Sequence, residues 1–473
     1  MTQNNISSHI DNYFIEVYGQ DYLNSYYKYI NQPTVDYIRV RNNINYDIEK
    51  RLYDYNIIVE KFIDNIYKVK NDPNNYIGKT IEFVIGDYYI QSLSSMLPPY
   101  VLNPTKGEKV VDLCAAPGSK TTQISEMMDY SGFLVANEID IKRVKTLAHN
   151  LDKYKAYNTA IMINRGELLS KYFDDEFDKV LADVPCTGLG ILNKKNEIKN
   201  WWSKKIVDAI LDIQYKLLLA AIRVAKVGGT IVYSTCSLTI EENEYIVDKI
   251  LKNYPVEVID FDLPVPSHPS KLEYKGDQYN PELLKAKRTF PWEIQSEGFY
   301  ICKLRKIDKL DAKEKFSKVD KPNDYFYFGN NKNSDYIKYL ADYFGLDYGL
   351  FSDKLFLIRG NDIYMSTIET PVEYLNYFNR TGIKIGTINK FDQIVPHTYF
   401  TQIFSNKIAN NIVDVDSLQL KNYLMGSNFN IDADNGYKVV RYNGNMIGTI
   451  IVKDKTAKSQ FPKSKRSQDI IIK

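Results

Sequence analysis

Between residues 108 and 236, short apolar runs alternate with helical patterns, and each run ends on a small, acidic or polar residue. Val110-Val111-Asp112-Leu113 is the first run, followed by a small-residue turn and a helix from about Lys120. Phe133-Leu134-Val135-Ala136 is the second and ends at Asn137-Glu138, after which Ile141, Val144, Leu147, Ala148 and Leu151 fall at helical spacing. Further strands are expected at Ala160–Ile163, Val180–Asp183 and Thr230–Tyr233. Between the last two, Ile206, Ile210, Ile213, Leu217, Ala220 and Val224 mark a long amphipathic helix that stops before Gly228-Gly229. This rhythm predicts an α/β fold with a mixed, mostly parallel, doubly wound sheet, whose ligands sit at the carboxyl ends of the strands.

A chain of 473 residues is too long for one ordinary domain. Three parts are expected: 1–80, 81–306 and 307–473. The first contains QPTVDYIRVRNN (Gln32–Asn43), where a proline turn leads into an alternating stretch, a strand with Arg39 and Arg41 on one face. That face fits a solvated surface as well as it fits RNA. The third part follows a charged linker (KLRKIDKLDAKEKFSK) and shows a hairpin signal at Tyr442-Asn443-Gly444-Asn445. It closes in a basic stretch, Lys453–Arg466, read as a solvated tail that suits phosphate contact.

The net charge of +2, from 61 basic and 59 acidic residues, leaves the partner open. Hydrophobic residues at 44% and charged residues at 25% are those of a globular protein. No apolar run approaches the roughly 20 residues of a membrane span, and the N-terminus lacks a signal-peptide pattern, so a cytoplasmic protein is expected. The four cysteines, Cys114, Cys186, Cys236 and Cys302, are widely spaced with no CxxC pair. That argues against a disulfide framework and a structural metal.

DLCAAPGSKTTQ (Asp112–Gln123) is a strand-to-helix turn whose small side chains let backbone amides approach a ligand. It is neither GxGxxG nor a Walker loop, which disfavours dinucleotides and nucleoside triphosphates. Glu138 ends the next strand, where an acid either accepts from ribose hydroxyls or caps the following helix. Loop and acid together suit a cofactor with a ribose and a carboxylate but no phosphate, and S-adenosylmethionine fits. Asp183-Val184-Pro185-Cys186 and Ser234-Thr235-Cys236-Ser237 each follow a strand, so two cysteines leave the carboxyl edge of one sheet. Packing explains a single buried cysteine, Cys302 and Cys114 included, better than it explains this pair. Cytosine carbon 5 becomes nucleophilic only after addition at carbon 6, and a thiolate suits that addition.

VVDLCAAPGSKTTQ, DVPCTGLG, GGTIVYSTCSLTIEENE, GDYYIQSLSSMLPP, the helix carrying Gln214, and RTFPWEIQSEGFYICKLRK resemble the Nop/Sun-type RNA cytosine carbon-5 methyltransferases, in the family's order over residues 80 to 306. QPTVDYIRVRN resembles the family's ferredoxin-like RNA-binding piece. GIKIGTI, VPHTYF, NYLMGS, GNMIGTIIV and FPKSKR resemble the PUA-like domain of the RsmF-type branch. The resemblance implies a Rossmann-like S-adenosylmethionine-dependent core between an N-terminal ferredoxin-like piece and a C-terminal PUA-like domain. It assigns Cys114, Ala115, Ala116, Pro117, Gly118, Ser119, Lys120 and Glu138 to the cofactor, and Asp183 to cofactor and target base. Cys236 becomes the nucleophile, Cys186 serves product release, and Lys120 stands among the catalytic residues. The family's usual aspartate near the adenine has no counterpart: Asn164-Arg165-Gly166 stands there, with Arg165 at the aspartate's place and assigned to the cofactor.

The expected activity is methylation of carbon 5 of a cytosine in structured RNA, small-subunit rRNA first and tRNA second, by a metal-free monomer. A DNA-type enzyme would use Cys186 as nucleophile, but Cys236 and the RNA-type flanks oppose it. An amino-group methyltransferase would carry an aromatic residue where Cys186 stands. A catalytically idle RNA-binding ribosome-assembly factor is the alternative of another class, and Arg165 is its only hint.

Overall fold

A computed structural model of the chain describes residues 8–191, 202–311, 326–327, 334–467 and 469–473. Of the charged linker, residues 312–318 lie outside the described residues. Each expected central strand is present, with small shifts at the ends: β1 (Lys109–Asp112), β2 (Phe133–Asn137), β3 (Thr159–Met162), β4 (Phe177–Asp183) and β5 (Ala225–Thr235). A sixth, β6 (Phe299–Lys306), lies antiparallel to β5. The order across the sheet is β6-β5-β4-β1-β2-β3, with β1 to β5 parallel. The chain therefore reverses its winding between β1 and β4 and opens a crevice at their carboxyl ends. The inner residues of β1, β2 and β4 are fully buried because helices cover both faces. Cys302, on β6, is likewise fully buried and is a packing residue.

Three helices position the crevice: α1 (Ser119–Met127), α2 (Ile141–Lys153) and α3 (Lys204–Val224). The N-cap of α2 is Asp140, whose carboxylate accepts from the Lys142 and Arg143 amides. Glu138 is therefore not the cap. Helix α3 ends at Val224, ahead of Gly228-Gly229 as expected, and β5 begins at once. Among the described residues no helix is long and apolar enough to cross a membrane.

The flanking parts are stitched to this core. Strand Tyr37–Val40 joins an antiparallel four-stranded sheet that Tyr88–Ile90 completes. Arg39 and Arg41 do not face solvent. Arg39 is buried against Glu126, Thr122 and Gln91, and Arg41, just past the strand, pairs with Asp87 at 3.7 Å. Alternation could not show this, because the partner carboxylates come from the core. Two N-terminal helices, Ser8–Tyr18 and Gln20–Ile30, pack Phe14, Tyr22 and Tyr26 on one another and on Phe290 and Trp292.

At the other edge Arg380–Thr381 pairs with β3, and the Arg380 guanidinium takes both oxygens of Asp152 on α2. Two five-stranded sheets lie in the rest of the C-terminal part. The second holds the hairpin Gly436–Tyr442 and Asn445–Lys453 as expected, with Asn443 and Gly444 both left-handed (φ 46° and 79°). The basic stretch is not a tail: Lys453 ends one strand, Thr456–Ser459 forms the next, and Lys465 lies against the Tyr399 ring.

Gly190 brings the two cysteine-bearing loops together. Its amide donates to the Cys236 carbonyl (2.9 Å) and its carbonyl accepts from the Gly298 amide (3.0 Å). A Cβ there would stand 2.2 Å from the Gly298 oxygen and 2.7 Å from the Cys236 oxygen. Gly190→Ala is accordingly expected to destabilise the protein by about 1–3 kcal/mol in urea unfolding. Gly78→Ala, whose new Cβ would have its nearest atom 3.8 Å away, is expected to change little. Equal midpoints for the two variants would contradict this packing.

Candidate active site

A cleft of about 690 Å3 opens at the carboxyl ends of the parallel strands. Leu113, Cys114 and Ala116 line it after β1, Asn137 to Ile139 at and after β2, Arg165 to Glu167 after β3, Asp183 to Gly188 from the end of β4, and Cys236 after β5. Every sequence-based candidate among the strand-end acids and cysteines thus faces one space, except the packing residue Cys302.

The β1 turn is held by its own acid. Asp112, fully buried, accepts from the Thr121 hydroxyl (2.7 Å) and the Cys114 amide (3.3 Å). Burial pushes its pKa up to about 7, the Thr121 bond opposing and the Asp183 charge adding. Gly118, left-handed at φ 105°, starts α1. Ala115 and Pro117 shape the turn, and Ser119 begins the helix that carries Lys120. Burial raises the Cys114 thiol well above its usual value, with the Asp112, Asp183 and Glu138 charges adding. Cys114 is therefore a protonated wall of the cleft.

Glu138 is 2% exposed and accepts from the Asp140 amide (2.9 Å) through one oxygen. Arg143 reaches the other as an ion pair at 3.1 Å without forming a hydrogen bond, so that oxygen keeps accepting capacity. Asn137 beside it, 1% exposed, donates to the Leu113 and Asn164 carbonyls and leaves its own buried oxygen without a partner. Buried acceptors left open cost about 1–3 kcal/mol each, so this wall is built for a ligand that brings donors. A ribose with two hydroxyls does so, and the residues present fit S-adenosylmethionine.

At the end of β4, Asp183 accepts from the Ser234 hydroxyl and from the Lys120 ammonium, each at 2.8 Å. Burial alone would lower the Lys120 pKa, but the Asp183 charge and hydrogen bond outweigh it and the net direction is up. Lys120 is thus a fixed positive charge. Cys186 and Cys236, both half-buried, meet with their sulfurs 2.9 Å apart. The contact with Cys236, then burial and the Glu242 and Asp183 charges, hold the Cys186 thiol well above its ordinary pKa.

One residue gathers both cysteine loops. Glu242 is fully buried and its carboxylate accepts from the Thr187 amide (2.8 Å) and hydroxyl (2.5 Å), the Ser237 and Thr239 hydroxyls (2.6 and 2.9 Å) and the Gln214 amide (3.0 Å). Gln214 also donates to the Pro185 carbonyl (2.9 Å). Sequence reasoning passed over Glu242, although it lies inside the EENE run. Glu242→Ala is expected to lower stability by more than about 3 kcal/mol in urea unfolding, because several buried donors lose one acceptor together. A loss below 1 kcal/mol would contradict that role.

Comparison with known proteins agrees with this geometry. Residues 99–305 match the family model described as 16S rRNA methyltransferase RsmB/F, and residues 410–467 match the methyltransferase RsmF PUA domain. The ribosomal RNA small subunit methyltransferase F of Vibrio cholerae serotype O1 (strain M66-2) is 31% identical over 381 residues, 79% of this chain and 77% of that protein. The protein of the same name from Shewanella piezotolerans is 28% identical over 414 residues, 85% and 83% of the two chains. A methyltransferase homolog protein from Pyrococcus horikoshii, 28% identical, superposes with a TM-score of 0.58 over 65% of this chain and 96% of its own. The strand-end cleft, the paired cysteines and these matches place the chain in the RsmB/F family of 16S rRNA methyltransferases, with the RsmF type of PUA domain at its C-terminal end.

Proposed function

We propose that this chain methylates carbon 5 of one cytosine in small-subunit ribosomal RNA, with Cys236 as the covalent nucleophile. The observation that carries the reading is the pair of thiols, 2.9 Å apart, in a cleft whose acidic wall suits a ribose-bearing cofactor. S-adenosylmethionine bound along Cys114 to Lys120, Glu138 and Arg165 supplies an electrophilic methyl group. The rRNA assignment follows the names and the two-thirds or greater coverage of the relatives.

The target cytosine leaves its stack to enter the cleft, at a cost of a few kcal/mol. The Cys236 thiolate adds to carbon 6, and the displaced ring electrons make carbon 5 nucleophilic. Asp183 accepts from the amino group of the base and, in its acid form, donates to the ring nitrogen, with Lys120 at 2.8 Å fixing the side chain in place. After carbon 5 gains its methyl, a base takes its proton, the electrons of that bond re-form the ring double bond, and the carbon 6–sulfur bond breaks with its pair left on Cys236, Cys186 assisting from its position against the departing sulfur.

A monomer is the form proposed. The division into 1–80, 81–306 and 307–473 is proposed as a functional one, with RNA held by the outer parts, although Tyr88–Ile90 of the second part completes the sheet of the first. Their stitching to the core ties docking to the cleft. The work belongs in the cytoplasm, with the ribosomal substrate.

Bisulfite sequencing of total RNA from cells with and without the gene tests this directly. One cytosine of the small-subunit rRNA is expected to lose protection when the gene is removed and to regain it with the wild-type gene. Loss confined to tRNA, or no loss, would overturn the substrate assignment.

A further inference from the structure

The end of the cleft beyond Glu138 is formed by Ile139, Arg165, Gly166, Glu167 and Leu217, and Glu167 has so far been given no role. Its side chain is 13% exposed. Arg165 donates to it through Nε (2.8 Å) and Nη2 (2.6 Å), and both contacts fall on Oε1. Oε2 is thereby left without a described hydrogen bond. Gly166 keeps this end open: a Cβ there would stand 2.6 Å from the Leu217 side chain and 3.1 Å from the Leu113 oxygen. The result is an end of the cleft bounded by the apolar side chains of Ile139 and Leu217, with the Glu167 carboxylate in its lining and the Arg165 guanidinium holding that carboxylate through Oε1.

We infer that Glu167, positioned by Arg165, reads the exocyclic amino group of the cofactor's purine and so selects an aminopurine over an oxopurine. The inference rests on the reading of the cleft as an S-adenosylmethionine site. Its chemistry is a matter of sign. A carboxylate oxygen is only an acceptor, so it pairs with an amino group and opposes the carbonyl of a deaminated purine. Hydrogen-bonding sites discriminate most strongly when the wrong ligand leaves a polar group unpaired. Glu167 is thus a specificity residue toward the cofactor, and Arg165 is its positioning residue.

Calorimetric titration of the full chain with S-adenosylhomocysteine and S-inosylhomocysteine tests this without any turnover. Wild type is expected to prefer the adenosyl compound at least about tenfold. Glu167→Gln, whose amide both donates and accepts, is expected to bring the two affinities together. Glu167→Ala is expected to weaken the adenosyl compound and leave the inosyl compound unchanged, and Arg165→Ala to lower the same ratio with unchanged melting. A ratio that stays at the wild-type value in both Glu167 variants would overturn the inference while leaving the cofactor site intact. Wild type that binds neither compound would overturn the cofactor site itself, and the inference with it.

Discussion

The Glu242 carboxylate is the constraint on which the site depends. A fully buried carboxylate is tolerable only when its lone pairs are filled, and here they are filled from the two loops that carry the cysteines and from α3. Satisfying the acid therefore fixes Thr187 against Ser237 and Thr239, and that in turn sets Cys186 against Cys236. Gly190 completes the contact by letting the backbones touch where no side chain would fit. The sulfurs are neighbours because the hydrogen bonds beneath them hold the two loops together.

The core was legible in the sequence because strands buried on both faces read as continuous apolar runs, each ended by a turn or an acid. Cys186 and Cys236 were legible for the same reason: each stands three or fewer residues beyond the end of a strand. Partner choice was not legible. Within the EENE run, Glu241 accepts from the Tyr13 hydroxyl, Glu242 gathers the cysteine loops, and Glu244 pairs with buried Arg288. A π-helical turn over Glu241–Tyr245 separates their directions, and nothing in four near-identical letters encodes it. Arg39 was misjudged because a charge looks solvated until its distant partner is known, whereas the Lys453–Arg466 stretch hid a strand, Thr456–Ser459, although Lys453, Lys455, Lys458 and Lys463 are exposed.

Glu138 shows how an ambiguity in sequence is resolved by counting hydrogen bonds. The helix that follows is capped by Asp140, so Glu138 spends one oxygen on the Asp140 amide and keeps capacity on the other. Together with the open oxygen of Asn137, it makes the β2 end of the cleft an acceptor wall. The cleft is thus divided by chemistry. The acceptors Asn137 and Glu138 line it at the end of β2, Asp183, paired with Lys120, at the end of β4, and the two thiols on the loops after β4 and β5.

The roles of the two touching thiols, Cys236 as nucleophile and Cys186 in release, are tested most directly on a denaturing gel. Wild type, Cys186→Ala, Cys236→Ala and the double variant are each incubated with small-subunit rRNA and S-adenosylmethionine. With Cys236 as nucleophile and Cys186 as release partner, Cys186→Ala should accumulate a slow-migrating protein–RNA band that requires S-adenosylmethionine. The band should be absent from Cys236→Ala and from the double variant. A band that accumulates in Cys236→Ala instead would contradict the account.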